Sequence, residues 1–347
     1  MKRNIFPPRL TLMIFFALML PISAGGCRSA PSLTEFSREF FTMDTIVSVT
    51  LYAPDQSLAD EAFDAAQGEF SRVHQLTDRF AAQNLPDPNV SDIYRINQNP
   101  GQAVPVSPDT IFLIQSALEV SRQSQGAFDI AIGPLMDLWD FKGAKHIPAQ
   151  AELDALLPLA DDRLIQADAE AGAVTIQPGM VLDMGGLAKG YATDCAADVL
   201  RDMGIRHAII NAGGNVYALG RKPDGSPWRV GIRHPRKDGA LLGVVEAADQ
   251  AVVSSGDYER YFEADGVRYH HILDPKTGRP ASSAISVTIV NSKSLTADLL
   301  STTVFVLGRE SLDDLLPRFA GTEALVMDED GMAVTGGMND LLASVSP

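Results

Sequence analysis

The sequence predicts an α+β fold: one domain of mixed, mainly antiparallel sheets with flanking helices. Three observations predict it. Amphipathic helical stretches and short alternating strand stretches are interspersed without a βαβ rhythm. The section from His207 to Val290 is a run of short strands broken by Gly, Pro and Asp turns. At 347 residues and 46% hydrophobic, the chain can also bury a large core.

The elements follow in order. Thr45 to Tyr52 places Val47, Val49 and Leu51 on one side and Ser48 and Thr50 on the other, the pattern of a half-buried strand. Ser57 to about Phe80 repeats Ala62, Ala66, Phe70 and Val73 at helical steps. Leu85 to Val90, with Pro86 and Pro88, is a loop. Ser107 to Gln125 is a helix with Ser107 as N-cap, Pro108 in the first turn and Gly126 just past its end. A shorter helix follows Pro148, and Arg163 to Gln177 forms a hairpin turning near Gly172. A strand through Met180-Val181-Leu182 leads to Asp183, the pair Gly185-Gly186 and a helix ending at Gly204. Ser294 caps another helix that stops at Gly308, and a last hairpin turns over Asp328 to Gly331.

The formal charge is -16. A surface this acidic repels phosphate backbones, which excludes nucleic-acid binding. A phosphorylated ligand would need local cations. At the N-terminus, Lys2, Arg3 and Arg9 precede the apolar run Leu10 to Leu20, too short for a comfortable bilayer span and the right length for a signal segment. Ser23-Ala24-Gly25-Gly26-Cys27 resembles a bacterial lipobox, with Ala24 where Leu is usual. The expected organisation is a signal peptide over 1–26, a tether over 27–38 beginning at lipidated Cys27, and one domain over 39–347. Cys195 is the only other cysteine and reads as a small core residue.

Several motifs could carry chemistry. Asp183-Met184-Gly185-Gly186-Leu187-Ala188-Lys189-Gly190 joins glycines, a helix start and a lysine. Glycines permit close backbone approach, and helix N-terminal amides favour anions, so this could cradle a pyrophosphate. A tight turn has the same pattern. Asp183 could be a base, a ligand contact or a helix cap. Asp298 and Thr302 are one helical turn apart, and a carboxylate with a hydroxyl suits a hard cation such as Mg²⁺. Helix-dipole compensation and backbone bonding would use the same residues. His270 and His271 are strand neighbours, so only one faces a given site. Asn211 to Asn215, Ser254 to Gly256 and Gly126 to Asp129 read as tight bends, and Trp139 and Trp228 as core.

Together these blocks resemble the ApbE family, the FAD:protein FMN transferases. They run in order from Met43-Asp44-Thr45 through Gly126–Asp129, Ile132–Leu135 and Trp139, Asp183–Gly190, Asn211–Gly214, Ser254–Tyr258 and His271–Pro280 to Ala297-Asp298, Thr302 and Val306–Gly308. The resemblance implies a central FAD cleft, with Mg²⁺ on Asp298, Thr302 and the carbonyl of Gly186. It implies FAD contacts from Met43, Phe80, Ala127, Phe128, Asp129, Asp183, Lys189 and the backbone near Leu273. His271 matches the family's histidine, and His271 or Asp183 would be the base. The implied reaction moves FMN from FAD to a threonine of an acceptor and releases AMP. The implied acceptors are flavin-carrying subunits of respiratory or ion-pumping membrane complexes, and the implied location is the periplasmic face of a membrane. A Mg²⁺-dependent FAD pyrophosphatase would use the same site, and a non-catalytic flavin-binding lipoprotein is a third class. Asp44 and Asp140 stand where the family usually has Gly, and Ser301 where it has Ala or Asp.

Overall fold

A computed structural model describes Met1, residues 32–143 and residues 145–343. Its centre is an eight-stranded sheet in which every neighbouring pair is antiparallel. The spatial order is Thr34–Thr42, Thr45–Ala53, Ala208–Ala212, Asn215–Leu219, Gln250–Gly256, Ser286–Asn291, Glu323–Asp328 and Gly331–Val334.

Side-chain alternation divides this sheet between two cores. Ala251 and Val253 face one side with Val287, Ile289, Ala324 and Val326. Val252, Val290 and Leu325 face the other. The first side is covered by the helices Gln56–Thr77, Ala188–Asp202 and Ser294–Leu307, which pack on one another in that order. The second side is covered by Trp228 and a three-stranded sheet of Trp228–Arg233, Leu241–Ala247 and Leu342–Ala343. A third cluster, built on Leu135, Trp139, Leu153, Phe262 and Leu273, backs one end of the molecule. The residues from Leu33 onward form one compact unit.

Most sequence-predicted elements stand where expected. The helix predicted from Ser107 spans Pro108–Gln123; the Ser107 Oγ accepts the Thr110 N–H, and Gly126 takes a φ of 81°. Three expectations are corrected. The tether was expected to reach residue 38, but Thr34–Thr42 is a full edge strand paired with Thr45–Ala53 along its whole length. The domain therefore begins by Leu33. Met180–Leu182 joins no sheet; the Asn97 amide donates to the Leu182 carbonyl at 2.9 Å and accepts its N–H at 2.8 Å, and the Val181 carbonyl accepts the Gly133 N–H at 3.1 Å. Ser294 does not cap its helix. The N–H groups of Ser294 and Leu295 instead donate to the two oxygens of Asp194, on the neighbouring helix, at 2.8 and 2.9 Å.

Two departures from the family pattern find a common cause. Asp44 has φ 59° and Asp140 has φ 45°, both in the left-handed region where glycine is cheapest. Met43-Asp44 is the two-residue turn between the first two strands, with both residues at positive φ, a primed turn matched to strand twist. Aspartate tolerates this backbone better than most side chains, and Asp44 also pairs with Lys142. The expected lipidation site, Cys27, lies outside the described residues.

Candidate functional site

One cleft gathers residues from seven separate stretches of chain. Its lining includes Met43, Ala127, Phe128, Asp129, Asp183, Gly186, Lys189, His271, Leu273, Asp298 and Thr302. Every one was singled out in the sequence.

The floor is the crossing of two helices. Asp298 and Thr302 lie on the Ser294–Leu307 helix, and Lys189 and Gly190 lie in the first turn of the Ala188–Asp202 helix. The Gly190 N–H donates to Asp298 Oδ2 at 2.8 Å. A methyl group on Gly190 would meet the Ser294 carbonyl at 2.6 Å, so only glycine lets the helices come this close. Asp298 is 4% exposed, and burial raises its pKa, with Lys189, the Gly190 N–H and Asn215 acting in the opposite sense. Ser301 is turned away. Its hydroxyl bonds the Asp298 carbonyl at 2.9 Å and Ser255 at 2.8 Å, which leaves Asp298 and Thr302 as the polar pair facing the cleft.

Gly186 sits beside this pair. A Cβ placed on it would lie 3.0 Å from the Phe128 ring and 3.7 Å from Thr302 Oγ1. Glycine is needed here for proximity, since Gly186 is not among the residues with positive φ. No group of three or more His, Cys, Asp or Glu placed to hold a metal ion exists among the described residues. A cation here would have one carboxylate, a hydroxyl and a carbonyl, leaving positions for phosphate oxygens and water. That donor set fits Mg²⁺, which commonly uses few carboxylates alongside a phosphorylated substrate.

The opposite wall carries His271. The structure separates the histidine pair, but not by strand alternation as expected: the strand Val267–His270 ends at His270, and His271 stands in the bend that follows it. His270 is 5% exposed, its Nδ1 accepts the Ile272 N–H, and its Nε2 donates to the Ala281 carbonyl at 2.9 Å. His271 lines the cleft, and its Nδ1 lies 3.3 Å from the Arg260 carbonyl. A carbonyl can only accept, so Nδ1 carries the hydrogen and Nε2 keeps its lone pair. Burial lowers the His271 pKa to about 3, with Arg260, His270 and Lys189 adding repulsion. At neutral pH the ligand-free imidazole is therefore a neutral, unprotonated base. The turn after it is pinned from behind: Trp139 Nε1 donates to the Gly278 carbonyl at 2.7 Å.

Three residues stand differently from expectation. Asp183 lines the cleft, but its oxygens are engaged: Oδ1 accepts the Gly185 N–H at 2.8 Å, and Oδ2 lies 2.8 Å from Arg79 Nε. With both oxygens engaged, Asp183 orders the glycine turn. Phe80 does not line the cleft. It is 43% exposed, with the Arg79 guanidinium 4.2 Å from its ring centre. Asp129 lines the cleft, but its oxygens accept the backbone N–H groups of Ala131 and Asp162 at 2.6 and 3.1 Å. It shapes the Phe128 wall, and burial beside Asp162 raises its pKa to about 7.

Sequence reasoning passed over Arg79, Asn215 and Arg260. Asn215 and Arg260 line the cleft. Asn215 ends the Gly-Gly bend that reads locally as a turn, and nothing in the sequence shows that its side chain faces Asp298.

The fold and cleft define a class: an α+β protein that receives an anionic ligand between a carboxylate–hydroxyl floor and a histidine wall. The model of the ApbE family matches residues 43–326. The FAD:protein FMN transferase of Klebsiella pneumoniae (strain 342) is 38% identical over 280 residues, covering 79% of this chain and 83% of that protein. That of Treponema pallidum (strain Nichols) is 35% identical over 324 residues, 88% of each. The crystal structure of the ApbE protein from Thermotoga maritima covers 90% of this chain and 100% of its own, with a TM-score of 0.81 at 30% identity. The chain belongs to the ApbE family.

Proposed function

We propose that this protein is an FAD:protein FMN transferase that uses Mg²⁺ to move FMN from FAD to a threonine hydroxyl of an acceptor flavoprotein, releasing AMP. The observation that carries the reading is the convergence, in one cleft, of a free His271 Nε2 with Lys189 and the Asp298–Thr302 pair.

A bound Mg²⁺ would supply positive charge to the pyrophosphate, held by Asp298, Thr302 and the Gly186 carbonyl. The rest falls to the chain's own groups. Lys189 offsets the phosphate charge that grows as the anhydride breaks. His271 Nε2 accepts the threonine proton. The threonine oxygen forms the new P–O bond to the FMN phosphorus, the anhydride P–O bond breaks, and AMP departs with the electron pair. Gly186 and Phe128 leave room for the ligand beside the floor.

Mass spectrometry of a candidate acceptor incubated with the protein, FAD and Mg²⁺ tests this. The expected product is acceptor plus one FMN with one AMP released. Free FMN and AMP with an unmodified acceptor would replace the reading with a pyrophosphatase.

The acceptors we propose are flavin-carrying subunits of respiratory or ion-pumping membrane complexes. We also propose that lipidated Cys27 anchors the enzyme to a bacterial membrane facing the periplasm. The basic segment, apolar run and small residues before Cys27 support this. No helix among the described residues is long and apolar enough to cross a membrane. Cys27→Ser should release active protein into the soluble fraction.

A further inference from the structure

We propose that Asn215 contacts the substrate, with its side-chain Nδ2 donating a hydrogen bond to the pyrophosphate of the bound dinucleotide. This rests on the flavin-transfer reading above.

Among the described residues, seven buried side-chain polar atoms meet no partner at hydrogen-bond geometry, although one of them, Arg79 Nε, is ion-paired with Asp183. Asn215 Nδ2 is the one whose residue lines the cleft. Asn215 is 2% exposed, so water does not readily satisfy it. A buried donor without an acceptor is costly, and one retained at a site calls for a ligand to complete it.

The backbone explains why the amide cannot turn away. Asn215 follows the two-residue turn Gly213-Gly214, whose φ values are 57° and 99°. It pairs with Ala212 across that hairpin and with Val253 on its other side. Both neighbours hold the strand in register, so the side chain is delivered to the Asp298 side of the sheet. There Asn215 favours the ionised form of Asp298 without forming an aligned hydrogen bond to it.

The other neutral groups on this wall are already used. Ser254 Oγ pairs with Thr288 Oγ1 at 2.8 Å, and Ser255 Oγ pairs with Ser301 Oγ at 2.8 Å. Asp298 Oδ2 takes the Gly190 N–H. Apart from Thr302, assigned above to the cation, Asn215 is thus a neutral donor that meets no acceptor at hydrogen-bond geometry, beside Lys189 and the cation floor where the phosphates of the proposed substrate belong. An amide there binds an oxygen anion without adding a second fixed charge.

Thermal unfolding with and without FAD and Mg²⁺ tests the assignment on wild type, Asn215→Ala and Asn215→Asp. Asn215→Ala should melt, without ligand, at or slightly above the wild-type temperature, because an unsatisfied donor has been removed. Its FAD affinity, read by flavin fluorescence, should fall by about tenfold to a hundredfold, the usual worth of a hydrogen bond to a charged group. Its FAD-dependent rise in melting temperature should shrink accordingly. Asn215→Asp should bind FAD more weakly still, because it sets a second carboxylate against the phosphates. A lower ligand-free melting temperature with an intact FAD-dependent rise would make Asn215 structural and overturn the proposal. Unchanged FAD affinity with a weakened Mg²⁺ midpoint would assign Asn215 to Asp298 alone and overturn it as well. No FAD-dependent rise in the wild type would remove the flavin reading itself, and this assignment with it.

Discussion

The backbone N–H of Gly190 donates to Asp298 Oδ2 at 2.8 Å, so the first turn of one helix fixes the carboxylate of the next. The contact exists because residue 190 has no side chain. A Cβ there would meet Ser294 O, Asp298 Cβ and Leu295 Cα at 2.6, 2.7 and 2.9 Å, two of them backbone atoms. Gly190→Ala must push the helices apart. It should cost about 1–3 kcal/mol of stability, as overpacking does, and should weaken Mg²⁺ activation. Denaturant unfolding and a Mg²⁺ titration of flavin transfer read the two effects. Wild-type values for both would show that the crossing yields without consequence.

Asp298→Asn should have opposite effects with and without metal. Burial raises the Asp298 pKa. A carboxyl whose folded pKa is raised stabilises the fold while protonated, and that stability is lost as pH rises through the folded value. Without metal at alkaline pH, the asparagine variant should therefore be the more stable protein, and its Oδ1 can still accept the Gly190 N–H. With Mg²⁺ it should show little activity, having lost the charged ligand. Melting temperatures at pH 8 in EDTA and in Mg²⁺ provide the comparison.

His271→Ala should lower flavin transfer by about 10² to 10⁴, the usual worth of a general base. FAD binding should persist. The pKa near 3 of the ligand-free His271 means that kcat/KM should show no acid limb near pH 6.5 from this group. A bound pyrophosphate favours the charged imidazole, so the kcat profile should show its acid limb at higher pH than the kcat/KM profile. His270→Ala should leave turnover per folded molecule near wild type. It should still lose on the order of 2 kcal/mol of stability, because it deletes a buried ring that bonds Ala281 and packs edge-on against Phe305. Transfer at the wild-type rate by His271→Ala would end its assignment as the base.

The Asp129–Asp162 pair predicts a pH dependence of the fold. Burial raises Asp162 to about 6 and Asp129 to about 7, with repulsion from Asp161 adding to both and from Asp162 to Asp129. Both folded values exceed the ordinary carboxyl range, so this contribution is fully present below about pH 4 and is lost as pH rises toward 7. Asp162→Asn removes one acid and relieves the other. The fall in stability between pH 5 and 7.5 should be smaller in that variant than in the wild type. Urea unfolding at the two pH values decides it; equal slopes would mean that the pair does not titrate in this range.

The sequence by itself determined what depends on neighbours along the chain. Alternation in Thr45 to Tyr52 gave a strand, and Ser107-Pro108 opened a helix. The family's motif blocks also placed nearly all of the cleft residues, because each block is a short run with its own turn or helix end. The tertiary structure decided the rest, where the determining partner is remote. Ser294 looks like a cap, but Asp194, one hundred positions earlier, takes the helix amides. Asp183 looks like a base until Arg79 comes beside it. Thr34 to Arg38, polar and charged through much of its length, reads as tether, yet it belongs to the strand Thr34–Thr42 because Thr45–Ala53 offers it a complete edge. Asn215 reads as the end of a turn, and only the packed sheet turns its amide toward Asp298. Local periodicity is written in backbone geometry, but which charge meets which is settled only when distant segments share one cleft.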